Sequence, residues 1–217
     1  MNGTPLSPRV FRGALVSAEP LRPASSVIVF QYNPDTLTRT LQARTSGGEV
    51  GSGPLRLTGP PEETIKLSVE VDAADQLSVG DPTTVRFGIR PALAALELLL
   101  YPPAQTMIDN QGLAASGLIE VLAPAAPLTV LVWGPGRVLP VRVTEFSVTE
   151  EAFDACLNPI RAKVDLGMRV VTYFESGTQS AAGALSLANH VALEVSGAFA
   201  TSGAEAAAVR STAGLKG

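Results

Sequence analysis

The sequence predicts a mainly β protein, a barrel or sandwich with one packed helix, followed by a low-complexity C-terminal tail. Three observations predict it. Long stretches alternate apolar and polar residues with period two, Gly and Pro punctuate the chain between them, and only one segment of the body carries a helical apolar stripe. Many short strands and one mid-chain helix fit a curled or stacked sheet with a helix laid against it.

Residues 27–42, VIVFQYNPDTLTRTLQ, read as a strand from Val27 to Phe30 covered on both faces, the turn Tyr32-Asn33-Pro34-Asp35, and a second strand from Thr36 to Leu41. The clearest strand runs from Glu63 to Val71, with Ile65, Leu67, Val69 and Val71 on one face and Lys66, Ser68 and Glu70 on the other. The pattern returns from Ile160 to Val170, where the outer face carries Arg161, Lys163, Asp165 and Arg169. Leu128 to Trp133 is apolar at nearly every position and reads as a strand covered on both faces. After Gly134-Pro135-Gly136, Val141 and Val143 share a face, whereas Phe146 and Val148 fall in the opposite register. A change of register within one strand predicts a bulge near Thr144 or Glu145.

The single helix is expected from about Arg90 to Leu100, opened by Pro91, with Leu93, Leu96 and Leu100 facing the core and Pro102-Pro103 ending it. Residues 43–63 are rich in Gly, Ser and Pro, and read as a long loop that is flexible or ordered by another molecule. From Gly177 the chain turns Ala/Gly/Ser-rich without sustained periodicity. This divides it into a β domain, 1–176, and a tail, 177–217, helical in part at most.

Composition limits the function. Only 17% of the residues are charged against 46% hydrophobic, which suggests burial against partners as well as within the chain. The net charge of -4 and the scattering of the 16 Lys and Arg residues argue against nucleic acid. No segment approaches the roughly 20 apolar residues of a membrane span. One cysteine, Cys156, rules out an internal disulfide framework and a zinc site.

Catalytic groups are scarce. Cys156 would need a base, and the one histidine, His190, lies in the tail. Glu145, Glu150, Glu151 and Asp154 lack the spacing and turn glycine of a calcium loop and read as a solvated strand end. The glycines of SGGEVGSGP follow no strand and open no helix, so they form no phosphate cradle. Trp133 and Tyr101 read as core aromatics rather than a sugar platform. The expectation is a protein that is not an enzyme and uses no metal or cofactor.

Five ordered stretches resemble the tube-type domain of contractile injection system baseplate proteins. They are the strand and Asn-Pro turn with Phe30, Asn33 and Pro34; the strand Ile65 to Val71; Thr84-Val85-Arg86 leading into the Leu93 to Leu100 helix; Leu128 to Gly134, ending in Trp-Gly; and the closing hairpin from Val138 to Val170 with Pro159-Ile160-Arg161-Ala162. The resemblance covers about residues 9 to 173. It implies a homo-hexameric ring that adapts the inner tube to the spike hub and initiates tube assembly, with the inner tube protein, the spike or hub protein and other baseplate components as partners. It also implies assembly in the cytoplasm, within a phage-tail-like particle that either is released later or acts inside the cell. Relatives often carry a LysM-like module after the barrel, and residues 177–217 do not resemble one.

Two alternatives stand beside the adaptor: the inner tube protomer itself, and a monomeric glycan- or peptide-binding β module. Candidate interface residues are Phe30, Asn33 and Pro34 at the turn, and the charges Arg137, Arg142, Arg161, Lys163 and Arg169 along the long hairpin. The N-terminal arm and the 43–63 loop are candidates for ordering against a neighbouring ring.

Overall fold

The structure, a computed structural model, describes residues 11–17, 27–46, 56–115 and 128–201. Strand β1 (Ala14–Ser17) pairs with β2 (Val27–Val29), and β3 (Leu37–Gln42) follows the Asn-Pro turn. A two-stranded ribbon, β4 (Thr45–Ser46) with β5 (Arg56–Leu57), leads into β6 (Glu62–Asp72). Four helices come next: α1 (Ala74–Ser78), α2 (Pro82–Phe87), α3 (Arg90–Glu97) and α4 (Ala104–Ala115). Strands β7 (Thr129–Val132), β8 (Val138–Phe153) and β9 (Pro159–Val170) complete the sheet, and α5 (Tyr173–Ser176) and α6 (Ala181–Thr201) end the described chain.

The main sheet is antiparallel with seven strands in the order β2-β1-β7-β8-β9-β6-β3. Consecutive strands β2 and β3 thus lie at opposite edges. Laid flat, those edges would stand about 29 Å apart, roughly the full reach of the taut link between Val29 and Leu37. Instead Gln31, just beyond β2, accepts the Asp72 N–H of β6 through Oε1 at 3.0 Å. The sheet therefore curls until its first strand approaches its sixth, and its ladder stays open between β2 and β3. This is the mainly β, barrel- or sandwich-like class that the alternation predicts.

One core fills the curl. Leu15, Phe30, Ile65, Leu131, Leu139, Val141, Leu166 and Met168 are almost wholly buried, and Leu93, Leu96 and Leu99 of the α3 segment cover them. The predicted bulge is present: pairing of β8 with β9 skips from Val143 to Glu145, leaving Thr144 out of register, so Val141 and Phe146 both turn inward. Two further irregularities fall near Ala152.

Several expectations need correction. Val27 and Val29 are 59% and 52% exposed, because β2 is an edge strand rather than one covered on both faces. Among the described residues the body, 1–176, holds five helices instead of one. Asp81 caps α2 by accepting the Thr84 N–H at 2.8 Å, and Pro82 suits its first turn. The core leucine after Leu96 is Leu99, not Leu100. After Glu97 the chain tightens, with Leu99 N–H bonding to the Leu96 carbonyl and Leu100 N–H to that of Glu97, which rotates Leu99 inward.

The segment 43–63 is not all loop, since β4, β5 and the start of β6 fall within it; its residues 47–55 lie outside the described residues. The tail is more ordered than its composition suggests, because α6 runs for 21 residues. The N-terminal arm, 1–10, and residues 202–217 lie outside the described residues. No described helix is long and apolar enough to cross a membrane.

Candidate functional site

The turn after β2 fastens one end of the sheet. Asn33 Oδ1 accepts the Gly13 N–H at 2.9 Å, and its Nδ2 donates to the Phe11 carbonyl at 2.8 Å. One amide side chain thereby supplies the acceptor and donor of a strand residue, extending the β1–β2 ladder. The Phe30 N–H donates to the Gly13 carbonyl at 2.8 Å just beside it. The Phe30 ring, 1% exposed, packs at 6.5 Å and 59° against Trp133. A Cβ on Gly13 would stand 2.7 Å from the Phe30 ring and 3.0 Å from that of Trp133, so only glycine fits beneath the pair. Pro34 is half-buried beside Asn33. Of these three interface candidates, Phe30 belongs to the core and offers almost no surface.

The outer face of β3, β6, β9 and β8 carries the charges. Lys66 of β6 and Glu145 of β8 meet at 2.6 Å across Gly167 of β9, which both strands flank in register. A Cβ on Gly167 would lie 2.8 Å from that of Glu145, so the missing side chain lets the pair close over β9. Lower on the face, Arg161 donates to Asp72 at 2.6 Å. Asp72 also accepts the Ala74 N–H, and these two contacts hold its carboxyl below the ordinary range. Lys163 stands opposite Glu70 and Thr149. At the other end Arg142 lies directly opposite Arg169. Glu175 accepts from Arg169 and Arg44, each at 2.7 Å. Burial raises the Glu175 carboxyl, but the two arginines outweigh it and the net shift is downward. The Arg142 Nε is buried without a hydrogen-bond partner among the described residues. Arg137 is half-buried beside the glycine turn.

Arg142, Arg161, Lys163 and Arg169 therefore share one sheet face without converging on a point, and Arg137 lies outside the strand. An apolar cavity of about 260 Å³ lies elsewhere, between β2 and α3, lined by Val29, Phe30, Val69, Ile89 and Leu96 with Gln31 and Asp72 at its rim. Two polar pockets of about 350 and 390 Å³ share Tyr32, Glu70 and Lys163.

The residues examined for chemistry have local roles. Asp154 accepts the N–H groups of Cys156 and Asn158 at 2.7 and 2.8 Å and the Asn158 side chain at 2.8 Å, building the turn that places Leu157 at φ +62°. The Asn158 bonds above all depress its carboxyl. Cys156 is exposed on that turn. His190 lies on α6, with Nδ1 3.3 Å from the Tyr173 hydroxyl and Nε2 3.6 Å from Glu194. Since Cys156 precedes β9 and Tyr173 follows it, the 12 residues of that strand, about 40 Å, stand between them. Among the described residues no three His, Cys, Asp or Glu side chains group as metal ligands would.

Gly13, Gly167, Gln31 and Glu175 escaped the sequence reading. Each acts on a partner far along the chain, and none sits in a pattern that marks it.

No family model and no curated protein matches the chain. Among solved structures, it is similar to a chain from the tail of an empty GTA particle with C6 symmetry, at 10% identity and a TM-score of 0.29, covering 73% of this chain and 90% of that one.

Proposed function

We propose that this protein is a structural component of a phage-tail-like particle, a ring that adapts the inner tube to the spike hub. The observation that carries the reading is the packing of Phe30 on Trp133 above Gly13, with Asn33 clasping the same segment. Phe30 with Asn33, and Trp133, come from two separate stretches by which the chain resembles tube-type baseplate proteins, and they meet around Gly13.

The open sheet supports it as well. Edge strands β2 and β3 leave backbone groups available, and Val27 and Val29 are exposed beside one edge. A neighbouring subunit meeting these edges head to tail would build a closed ring of about six subunits. The work of such a ring is geometric: it templates the tube and transmits force, and it turns over no substrate. The 43–63 stretch and the hairpin charges Arg137, Arg142, Arg161, Lys163 and Arg169 are its contact candidates.

Electron microscopy of particles that co-purify with the chain, tagged at Gly217, tests this. Sheathed rods with about six copies near one end are expected. Hundreds of copies along the length would make it the tube protomer instead, and an isolated chain without particles would sink the reading.

A further inference from the structure

One end of the charged sheet face holds more cations than it pairs. Arg142 of β8 and Arg169 of β9 lie directly opposite each other, on the face away from the core, since their neighbours Val141, Met168 and Val170 are buried within it. Like charges in directly opposed positions destabilise a sheet. Arg169 pairs with Glu175, which also takes Arg44, each at 2.7 Å. Arg142 has no such relief: among the described residues no ion pair reaches it, and its Nε is buried without a hydrogen-bond partner. A buried donor without an acceptor is costly, and an arginine cannot escape the cost by losing its proton.

The elements around Arg142 have no carboxylate to spare. Farther along β8, Glu145 is engaged with Lys66 across Gly167. Helix α6 packs against β8, but its residues 181–189 carry no charge, and its one carboxylate, Glu194, stands beside His190 beyond them. Glu175 of α5 is already held from two sides. Glu62 of β6 attracts Arg169 from a distance without forming an ion pair. The guanidinium groups of Arg44, Arg142 and Arg169 therefore stand against Glu175 and the more distant Glu62. All three arginines are half-buried, so a small ion reaches them while solvent screens them only in part.

We propose that Arg142, with Arg169 beside it, binds a small phosphate oxyanion at this end of the sheet face. A guanidinium fork takes two oxygens of an oxyanion at once, so a single carboxylate satisfies one fork, whereas a phosphate has oxygens enough to bridge two that face each other. A phosphate group also carries roughly 1.5–2 negative charges at neutral pH, more than one carboxylate brings to the surplus. Bound there, it replaces the repulsion between β8 and β9 with a shared counter-ion. Occupancy and stability then rise together.

This site is independent of the particle reading and is tested on the purified full chain. Inorganic phosphate is titrated by calorimetry and in thermal melts, with sodium chloride adjusted to hold ionic strength constant. Saturable binding and a Tm that rises with phosphate are expected. Arg142→Gln should weaken phosphate binding at least about tenfold and leave Tm without phosphate unchanged or higher, because it removes one of two facing charges. Arg142→Lys keeps the charge but not the fork, and should fall between. Cosedimentation with phosphatidic acid vesicles separates two sources of the same chemistry: Arg142-dependent capture assigns a lipid headgroup, and no capture a free ion. A response to phosphate no larger than that to chloride overturns the proposal. So does an Arg142→Gln chain that binds phosphate as tightly as the parent, or one that melts lower without it and so reveals an existing partner for Arg142. Acetate binding as tightly as phosphate would overturn it too, by making the site one for a lone carboxylate.

Discussion

Asn33 reaches back 20 residues to bond the Gly13 N–H, and on its other side it holds the Phe11 carbonyl. A side chain that replaces a strand residue has no substitute close by, so its loss should be felt. Asn33→Ala is expected to cost about 1–3 kcal/mol and to lower Tm by roughly 2–10 °C. Asn33→Asp keeps the acceptor but sets a charge against the Phe11 carbonyl, and should be destabilised as well. Differential scanning calorimetry of both variants reads this directly, and an unchanged Tm in Asn33→Ala would remove the clasp from the account.

Gly167 is a matter of space. Gly167→Ala places a Cβ 2.8 Å from that of Glu145, an overpacking expected to cost about 1–3 kcal/mol. The cost should shrink in a Glu145→Gly background, where the opposing Cβ is gone. A double-mutant cycle by urea denaturation measures the coupling, and strictly additive losses would show that the two residues do not compete for that space.

Leu99 and Leu100 are neighbours with opposite fates, 3% and 37% exposed. Leu99→Ala should cost about 2–5 kcal/mol, as core truncations do. Leu100→Ala should cost well under half of that. Equal losses in parallel urea titrations would mean that the turn after Glu97 is not wound as described.

Asp72 predicts a pH dependence. Its folded carboxyl titrates below the unfolded one, so the stability it contributes is fully present above about pH 4 and is lost as pH falls through its lowered value. Glu175 acts in the same direction through Arg169 and Arg44. In Asp72→Asn the decline of stability below pH 4 should be shallower than in the parent chain. Chemical denaturation at stepped pH settles it, and identical slopes would mean that the Arg161 and Ala74 contacts do not persist in solution.

Local pattern made much of this legible. Alternation at Ile65, Leu67, Val69 and Val71 needs only a pleat and one covered face, and the shift from Val143 to Phe146 needs only the rule that one extra residue turns a strand over. The misses follow from the same rule of locality. Val27 to Phe30 is apolar whether the strand lies inside or at the edge of a sheet, so its exposure depends on which strands pair beside it. Helix α6 is built from Ala, Gly and Ser around scattered aliphatics, a composition with no single apolar face to detect. Leu99 and Leu100 differ through the tightening of one helical turn, which no spacing reveals.

By itself, then, the sequence determined the faces of the long strands β6 and β9, the bulge and the Asn-Pro turn, because each depends on residues within a few positions of one another. Only the tertiary structure decided that β2 and β3 become opposite edges of a curled sheet, that Phe30 meets Trp133 over Gly13, and that Lys66 reaches Glu145 across Gly167. Those relationships join residues from distant parts of the chain. They exist because strands pair out of sequence order and the sheet curls around its core.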